Sequence, residues 1–290
     1  MTTEAEERRR RLSGIDFARG SVRLEGIVLD GAIEALNQRF AAGEINGPQH
    51  VRLSLEYLDA KHANPPDQPP TIGPTRGEAC SFLRILELEL APLPGRFDAH
   101  HLKAIHGHIF QDSPPHRPGE YRPENPRGVY VKNRALEAEP TRYHVCYRTE
   151  GIAAAVDSAI KGFGAVETLR DLGVEEMARK LAGFYGDLDH AHPFCEGNSR
   201  TLRAFTRQMA RQAGWELDWG APHANAASRD ALYIARDLAV TARAFPGLDQ
   251  DRAMQTSDRM EYEAWVMFTS RYRARPTLET LIRSALTRLT

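Results

Sequence analysis

The sequence has few cysteines, little excess charge of either sign and no long apolar run. Its three cysteines, Cys80, Cys146 and Cys195, are too few and too scattered for a disulfide framework or a zinc site, so we expect a reducing compartment. The formal net charge is -1 over 290 residues, without a face-wide excess of Lys and Arg. We therefore expect no direct nucleic-acid partner.

Features of a membrane protein are also missing. No eighteen consecutive residues are apolar, and the charged N-terminus is not followed by an apolar stretch. We therefore expect no membrane partner and no cleaved signal peptide. Apolar residues make up 41% of the chain and charged residues 27%, which is typical of a globular protein with one large domain or a domain and an appendage. The expected location is cytoplasmic; secretion by a signal that the sequence does not display is the alternative.

A proline-rich stretch divides the chain. Residues 62–74 contain five prolines, and such a segment can form neither a helix nor a central strand. We predict an extended linker over residues 63–75. The chain would then consist of a short helical segment, residues 1–62, and a larger domain, residues 76–290.

The remaining patterns are mostly helical. Three short helices are predicted before the linker: one ends at Gly26, one is capped by Asp30 and ends at Gly43, and one leads into the linker. Residues 128–148 mix β-branched and aromatic residues, which predicts a small hairpin. The helices predicted after the linker cover residues 80–90, 98–110, 152–160, 174–190, 200–212, 228–245, 257–275 and 277–290. The predicted fold class is therefore all-α with one minor β element.

The turn between predicted helices 174–190 and 200–212 carries the most chemistry. Pro193 and Gly197 both break the helix there. The helix that opens after the turn presents free backbone N–H groups and the positive end of its dipole, which together form an anion site. Arg200 and Arg203 lie three residues apart on its first turns, so both can lean toward the same anion.

The side chains of this turn suit phosphoryl or nucleotidyl transfer. The imidazole of His192 can take a proton from a hydroxyl nucleophile, and the carboxylate of Glu196 can hold Mg²⁺. Asn198 and the amides around Gly197 and Ser199 can bond phosphate oxygens. Each residue taken alone would more often be structural or solvated. Their combination favours a catalytic centre that works by positioning and charge stabilisation.

The run resembles the signature of the Fic family, His-Pro-Phe-x-[Asp/Glu]-Gly-Asn-Gly-Arg-x-x-Arg. The matching residues are His192, Pro193, Phe194, Glu196, Gly197, Asn198, Arg200 and Arg203, with Ser199 in place of the second glycine. Residues 118–122, Pro-Gly-Glu-Tyr-Arg, are similar to an element that precedes the Fic core. The resemblance covers roughly residues 76–290, and implies a helical Fic bundle that transfers AMP from ATP to a hydroxyl of a target protein.

The resemblance also implies individual roles. His192 would deprotonate the acceptor hydroxyl, Glu196 would bind Mg²⁺, and Arg200 and Arg203 would contact the β- and γ-phosphates of ATP. Ser199 is small and neutral and should leave the usual nucleotide orientation, which a Lys at this position reverses in family members that phosphorylate.

The family also has a β-hairpin flap that registers the target segment beside the site. The candidate flap residues are Tyr143, His144, Val145, Cys146 and Tyr147. An edge or core strand is the alternative interpretation of this segment.

A second motif lies near the N-terminus. Ser21 and Glu25, four residues apart on one face of the predicted helix and followed by Gly26, match the [Ser/Thr]-x-x-x-Glu-[Gly/Asn] pattern of the family's inhibitory helix. Residues 18–26 also resemble small antitoxin proteins that bind Fic toxins. The resemblance implies that Glu25 pairs with Arg203, so that ATP binds weakly or misaligned. Without the Fic motif, the two residues would indicate only a solvated helix face.

Three interpretations stay open. The leading one is a bacterial Fic adenylyltransferase of the toxin–antitoxin type with its inhibitory helix in the same chain. The second is another transfer on this scaffold: phosphorylation, UMP transfer or phosphocholine transfer. The third is a catalytically silent Fic fold that acts as a binding module. By resemblance the target offers a Tyr, Thr or Ser hydroxyl, as topoisomerase subunits, small GTPases and chaperones do for family members.

Overall fold

The computed structural model describes residues 3–63, 74–219 and 225–289. Of all residues, 64% are helical and the strands are short, so the predicted all-α class with a minor β element is confirmed. Most of the predicted linker, residues 64–73, lies outside the described residues. Within the described ranges, no helix combines the length and the hydropathy needed to cross a bilayer.

The chain forms two compact units, one comprising Met1–Arg96 and Lys103–Glu120, the other Phe97–Leu102 and Tyr121–Thr290. The helices of the first unit are α1 (Glu4–Arg23), α2 (Gly31–Ala42), α3 (Gly47–Ala63) and α4 (Arg76–Leu90). Helix α5 (Ala99–Phe110) spans the sequence boundary between the units.

The ends of the N-terminal helices follow the capping signals in the sequence. The Asp30 side chain accepts a hydrogen bond from the Ala32 backbone N–H, and α2 ends at Gly43 in the left-handed conformation that a residue without Cβ adopts most easily. Helix α1 packs against α2 and α4. The Arg19 guanidinium ties α1 to α2 through two hydrogen bonds of 2.8 and 2.7 Å to the Glu34 carboxylate.

The second unit is built around one central helix. Its helices are α6 (Ile152–Phe163), α7 (Val174–Ala191), α8 (Asn198–Gln212), α9 (Ala226–Ala244), α10 (Gln250–Gln255), α11 (Arg259–Ala264), α12 (Ser270–Tyr272) and α13 (Leu278–Ala285). Helix α7 packs against α6, α8, α9 and α13, and its buried face includes Met177, Leu181, Phe184 and Leu188. The helix before the candidate catalytic turn is therefore packed against four other helices of this unit, including α8, which follows the turn.

The predicted hairpin forms two antiparallel strands, β1 (Tyr130–Ala135) and β2 (Arg142–Tyr147), with Tyr130 opposite Tyr147. A second two-stranded sheet, β3 (Trp215–Leu217) and β4 (Leu286–Arg288), was not predicted. The prediction of helix to the end of the chain was wrong, because α13 stops at Ala285 and the next residues pair with β3. Three-residue strands are too short to show alternation.

Candidate active site

The candidate catalytic turn joins α7 to α8. His192 caps α7 in the left-handed region, at φ 44° and ψ 60°, and Gly197 opens α8 at φ 81°. A non-glycine residue in this region costs on the order of 1 kcal/mol, so its surroundings must enforce it. The helix break predicted at Pro193 and Gly197 is confirmed.

Arg122 provides much of that enforcement. Its Nε donates to the His192 carbonyl at 2.7 Å, and its Nη2 donates to the Arg148 carbonyl. Its own backbone N–H donates to the Pro193 carbonyl at 2.8 Å, and its guanidinium lies 3.9 Å above the Tyr130 ring. The Gly-Glu-Tyr-Arg element therefore acts, through its arginine, as a clamp on the backbone of the turn.

The rest of the turn is closed by its own residues. The Asn198 side chain accepts from the Phe194 N–H at 2.9 Å and donates to the Phe194 carbonyl at 2.7 Å. Phe194 is fully buried, with the Tyr121 ring 5.5 Å away between centroids. Phe194 thus anchors the turn in the core. The Asn198 side chain, a predicted phosphate ligand, thus makes two hydrogen bonds within the turn itself.

His192 sits in an enclosed and electropositive environment. Its side chain is 4% exposed, and neither ring nitrogen has a hydrogen-bond partner within the described ranges. Burial lowers the pKa of His192 well below 6.5, and the nearby charges of Lys132, Arg134, Arg122 and Arg236 lower it further. The imidazole is therefore neutral near pH 7, which is the form that accepts a proton.

Glu196, the candidate Mg²⁺ ligand, points away from the buried part of the turn. Its side chain is 59% exposed, and its two carboxylate oxygens lie 3.2 and 3.1 Å from Nζ of Lys132 on β1. In the part of the chain that the structure describes, no three His, Cys, Asp or Glu side chains cluster closely enough to hold a metal. Glu196 would thus be a single carboxylate ligand, as is common for Mg²⁺ sites completed by phosphates and water.

The two predicted phosphate-binding arginines lie on the first turns of α8, with Arg200 6% exposed and Arg203 fully buried. Ser199 lies between Asn198 and Arg200 at half-buried depth. The α8 N-terminus carries no side-chain cap, since its N-cap residue is Gly197. The first backbone N–H groups of α8, its helix dipole and two arginines thus share one helix end.

Beneath the turn lies an ion pair that the sequence analysis missed. Arg236 of α9 donates to both carboxylate oxygens of Asp189 on α7, at 3.0 to 3.1 Å, and to Oγ of Ser199 at 2.9 Å. Both charged side chains are essentially inaccessible to solvent. The sequence pattern could have revealed this buried charge. Arg236 is four residues from Leu232 and four from Val240, both buried, so it lies on the apolar face of its helix.

A second buried group links the hairpin to α9. The Asp237 carboxylate accepts from Tyr143 Oη at 2.8 Å and from Arg134 Nε at 3.2 Å. Arg134 also donates to Tyr147 Oη at 2.7 Å, and the Tyr147 ring centroid lies 4.1 Å from that of His192. The hairpin therefore forms one wall of the pocket around the imidazole.

The candidate flap residues divide between two faces. Tyr143, Val145 and Tyr147 are at most 4% exposed and face the core, whereas His144 and Cys146 are half-buried. The three core-facing side chains thus support the hairpin from within. Tyr233 of α9 belongs to the same buried cluster as these three side chains.

The second motif lies in the first unit. Ser21 is buried near the end of α1, which stops at Arg23, and Glu25 lies in the following turn at half-buried depth. Gly26 adopts φ 82° and ends the turn, as the sequence predicted. The predicted helix extended two residues too far, so Ser21 and Glu25 sit on the last helical turn and the turn after it.

Comparison with known proteins gives matches centred on this turn. Residues 96–210 match the Fic/DOC family. The protein adenylyltransferase VbhT of Bartonella schoenbuchensis is 30% identical over 144 residues, which are 49% of this chain and 27% of VbhT. The probable protein adenylyltransferase Fic of Salmonella typhimurium is 31% identical over 139 residues, 47% of this chain and 60% of that one. The chain thus spans less than two thirds of the length of these curated relatives.

Among solved structures, the N-terminal Fic domain of a VirB-translocated Bep effector protein from Bartonella quintana aligns at 20% identity with a TM-score of 0.45. The alignment covers 74% of this chain and 85% of that domain. The family match includes the complete turn from His192 to Arg203 and the clamp residue Arg122. Over residues 96–210, and through the whole of this turn, the chain is therefore similar to the Fic/DOC family.

Proposed function

We propose that the protein is an adenylyltransferase that moves AMP from ATP to a hydroxyl side chain of a target protein. The observation that carries the proposal is the neutral, buried His192 next to a helix N-terminus with two arginines. The adenylyltransferase names of the relatives that match this segment point to the same chemistry.

The reaction follows from the parts of the turn. His192 accepts the proton of the target hydroxyl, whose oxygen attacks the α-phosphorus of ATP. The bond from that phosphorus to its bridging oxygen breaks, and pyrophosphate leaves. The N–H groups at the start of α8, with Arg200 and Arg203, hold the phosphate oxygens and stabilise their charge.

The geometry fits Mg²⁺ as the companion of ATP, with Glu196 as its protein ligand. The exposed carboxylate can reach a cation that takes its other ligands from phosphates and water. When bound, Mg²⁺ would neutralise charge on the phosphates. The ion pair between Lys132 and Glu196 must break before the Glu196 carboxylate can bind Mg²⁺.

The β1–β2 hairpin would register the target segment beside His192. Strand β2 packs on α9 and α11, and its tyrosines face the core. The target backbone would therefore meet the hairpin along β1, where Lys132 lies close to the turn.

A cytoplasm that supplies ATP, either the bacterium's own or that of a recipient cell, is the proposed place of action.

Mass spectrometry of a modified protein tests the proposed reaction. A lysate incubated with ATP and the chain should yield a protein whose Tyr, Thr or Ser carries the mass of AMP, and His192→Ala should abolish the product. A phosphate, UMP or phosphocholine increment would replace the proposed reaction by another on this scaffold. A product that persists in His192→Ala would contradict the role of the imidazole.

We also propose that the N-terminal motif holds the enzyme inactive, with the Glu25 carboxylate pairing with Arg203 and so competing with the γ-phosphate. Three features support this: the match to the inhibitory pattern, the opposite charges, and the placement of Glu25 two residues after the end of α1. A nucleotide displaced by even a small distance loses alignment for in-line attack, which lowers the rate strongly.

Removing the Glu25 carboxylate tests the inhibition. Glu25→Gly and Glu25→Gln should both raise the rate of label transfer from ATP, because either change removes the charge. Glu44→Gln, at an exposed position of the same unit, is the matched control and should not change the rate. Equal rates in wild type and both Glu25 variants would rule the inhibition out.

A further inference from the structure

One buried arginine connects the two helices that flank the candidate catalytic turn. Arg236 of α9 binds the Asp189 carboxylate in the last turn of α7 through bonds of 3.0 to 3.1 Å. The same guanidinium donates to Oγ of Ser199, in the first turn of α8, at 2.9 Å. We call these three residues the Asp189–Arg236–Ser199 brace.

The brace brings a charged carboxylate close to the imidazole. Oδ1 of Asp189 lies 3.9 Å from Nδ1 of His192, beyond hydrogen-bond range but well within the range of a strong charge interaction. An unpaired carboxylate at this distance would favour the protonated imidazolium. Arg236 places a positive charge directly on that carboxylate, so the two charges largely cancel at His192.

The other charged or titratable groups that face His192 come from each element packed around it. They are Arg122 before the hairpin, Tyr130, Lys132 and Arg134 on β1, Tyr147 on β2, Asp189 on α7 and Arg236 on α9. Two buried carboxylates belong to these surroundings: Asp189, 3.9 Å from the ring, and Asp237 of α9, which accepts hydrogen bonds from Arg134 and Tyr143. Asp189 is the carboxylate that lies against the ring, so the protonation of His192 depends on whether Arg236 compensates its charge.

We propose that Arg236 is a positioning residue that cancels the charge of Asp189 beside His192 and thereby keeps the imidazole in its neutral, proton-accepting form. Ser199, at the position of the second glycine of the Fic signature, supplies the hydroxyl that holds the guanidinium in place. This inference rests on the proposed role of His192 as the general base, and adds a residue from α9, outside the matched segment 96–210.

The arrangement predicts effects of opposite sign at its two ends. Without Arg236, the Asp189 charge is uncovered and the pKa of His192 rises, by about 1 to 3 pH units for an opposite charge at this distance. Without Asp189, the remaining guanidinium disfavours imidazolium still more. Removing both leaves the positive charges of Arg122, Lys132 and Arg134, which still disfavour the imidazolium.

Titration of His192 by NMR gives a readout that does not depend on turnover. Four chains are compared with the parent: Arg236→Gln, Asp189→Asn, the double variant, and Arg236→Lys, which keeps the charge. The His192 signal is assigned by its loss in His192→Ala. Arg243→Gln is the matched control, because Arg243 joins the same helices through Asp187, with Nε 2.6 Å from Oδ1.

In the parent, His192 should stay neutral throughout the pH range in which exposed histidines titrate. Arg236→Gln should bring its titration up into that range, while Asp189→Asn, the double variant, Arg236→Lys and Arg243→Gln should not. The acid limb of the rate profile should move to higher pH in Arg236→Gln alone. If Arg236→Gln does not fold, Ser199→Ala is used in its place. The pKa of His192 should then rise as well, but by less.

An unchanged His192 titration in folded Arg236→Gln, or in Ser199→Ala where that variant carries the test, would overturn the proposal. So would an equal shift in Arg243→Gln, because it would show a general loosening of the helices. The two proposals can be contradicted separately. If the pKa of His192 shifts in Arg236→Gln but the parent chain transfers no label, only the proposed reaction is contradicted. If the parent chain transfers label but the pKa of His192 does not shift in Arg236→Gln, only the role of the brace is contradicted.

Discussion

At the scale of single residues, the turn depends on an arginine that contacts backbone. Arg122 binds the carbonyls of His192 and Arg148 and lies over the Tyr130 ring, while His192 holds a left-handed conformation. The sequence picked out the Gly-Glu-Tyr-Arg element by resemblance, but the carbonyl partners of Arg122 lie 26 and 70 residues away. No local pattern encodes such a contact.

Replacing Arg122 by Ala should therefore damage both stability and activity. The change leaves buried carbonyls without a charged donor, which costs about 2 to 3 kcal/mol of unfolding free energy. Denaturant unfolding and label transfer measure the two effects. Arg127→Ala, at an exposed position five residues later, is the control and should alter neither. Wild-type activity in Arg122→Ala would show that His192 keeps its conformation unaided.

Lys132 offers a second test at this scale. Because it pairs with Glu196, Lys132→Met should make the carboxylate more available to Mg²⁺. The pair is partly exposed and worth at most about 1 kcal/mol, so the Mg²⁺ concentration for half-maximal label transfer should fall by up to about fivefold. Lys161→Met on the exposed face of α6 serves as the control. A rise in the Mg²⁺ requirement would mean that Lys132 assists the cation site.

At the scale of elements, the hairpin is fixed at its tip as well as along its strands. Asp230 of α9, 3% exposed, accepts from the backbone N–H groups of Glu137 and Ala138 at 2.9 and 2.7 Å. The Glu139 carboxylate accepts from Tyr272 Oη at 3.0 Å and from Arg275 at 2.8 Å. The tip is thus held by one buried and one exposed set of contacts.

The two sets should contribute unequally. Asp230→Ala removes a buried acceptor from two backbone N–H groups and should cost about 2 kcal/mol locally, whereas Glu139→Gln weakens exposed ion pairs worth under about 1 kcal/mol. Hydrogen exchange of the β1 and β2 amides should therefore speed up far more in Asp230→Ala than in Glu139→Gln. Similar rates in both variants would mean that the strands alone hold the hairpin.

Element predictions succeeded where the signal was local. The cap at Asp30, the glycine at position 43 and the hairpin pattern are read from neighbouring residues, and the structure confirms each. The helix predicted over residues 257–275 forms over residues 259–272, but it is not α-helical throughout: a π-helical turn, Trp265–Thr269, joins α11 to α12. That irregularity arises from packing, which no short sequence window contains.

At the scale of the whole molecule, buried histidines make stability depend on pH. Burial lowers the pKa of His50 and of His190 to about 4, from an ordinary value of 6.5, and lowers that of His192 as well. Between these values the unfolded chain binds more protons than the folded chain. The unfolding free energy should therefore fall as the pH drops from about 6.5 toward 4.

Denaturant unfolding at a series of pH values checks this slope. His190→Gln should make the dependence shallower, because one of the groups that differ between the two states is gone. His100→Gln, at an exposed position, should leave the slope unchanged. Stability that rises on acidification over this range would contradict the assigned direction of these pKa shifts.

The central claim is that the turn from His192 to Arg203 transfers AMP. The most direct test incubates Glu25→Gly and the Glu25→Gly/His192→Ala double variant with a cell lysate and ATP labelled either at the α- or at the γ-phosphate. We expect protein-bound label from the α-phosphate only, and none in the double variant. Label from the γ-phosphate, or transfer that survives the loss of His192, would contradict the account.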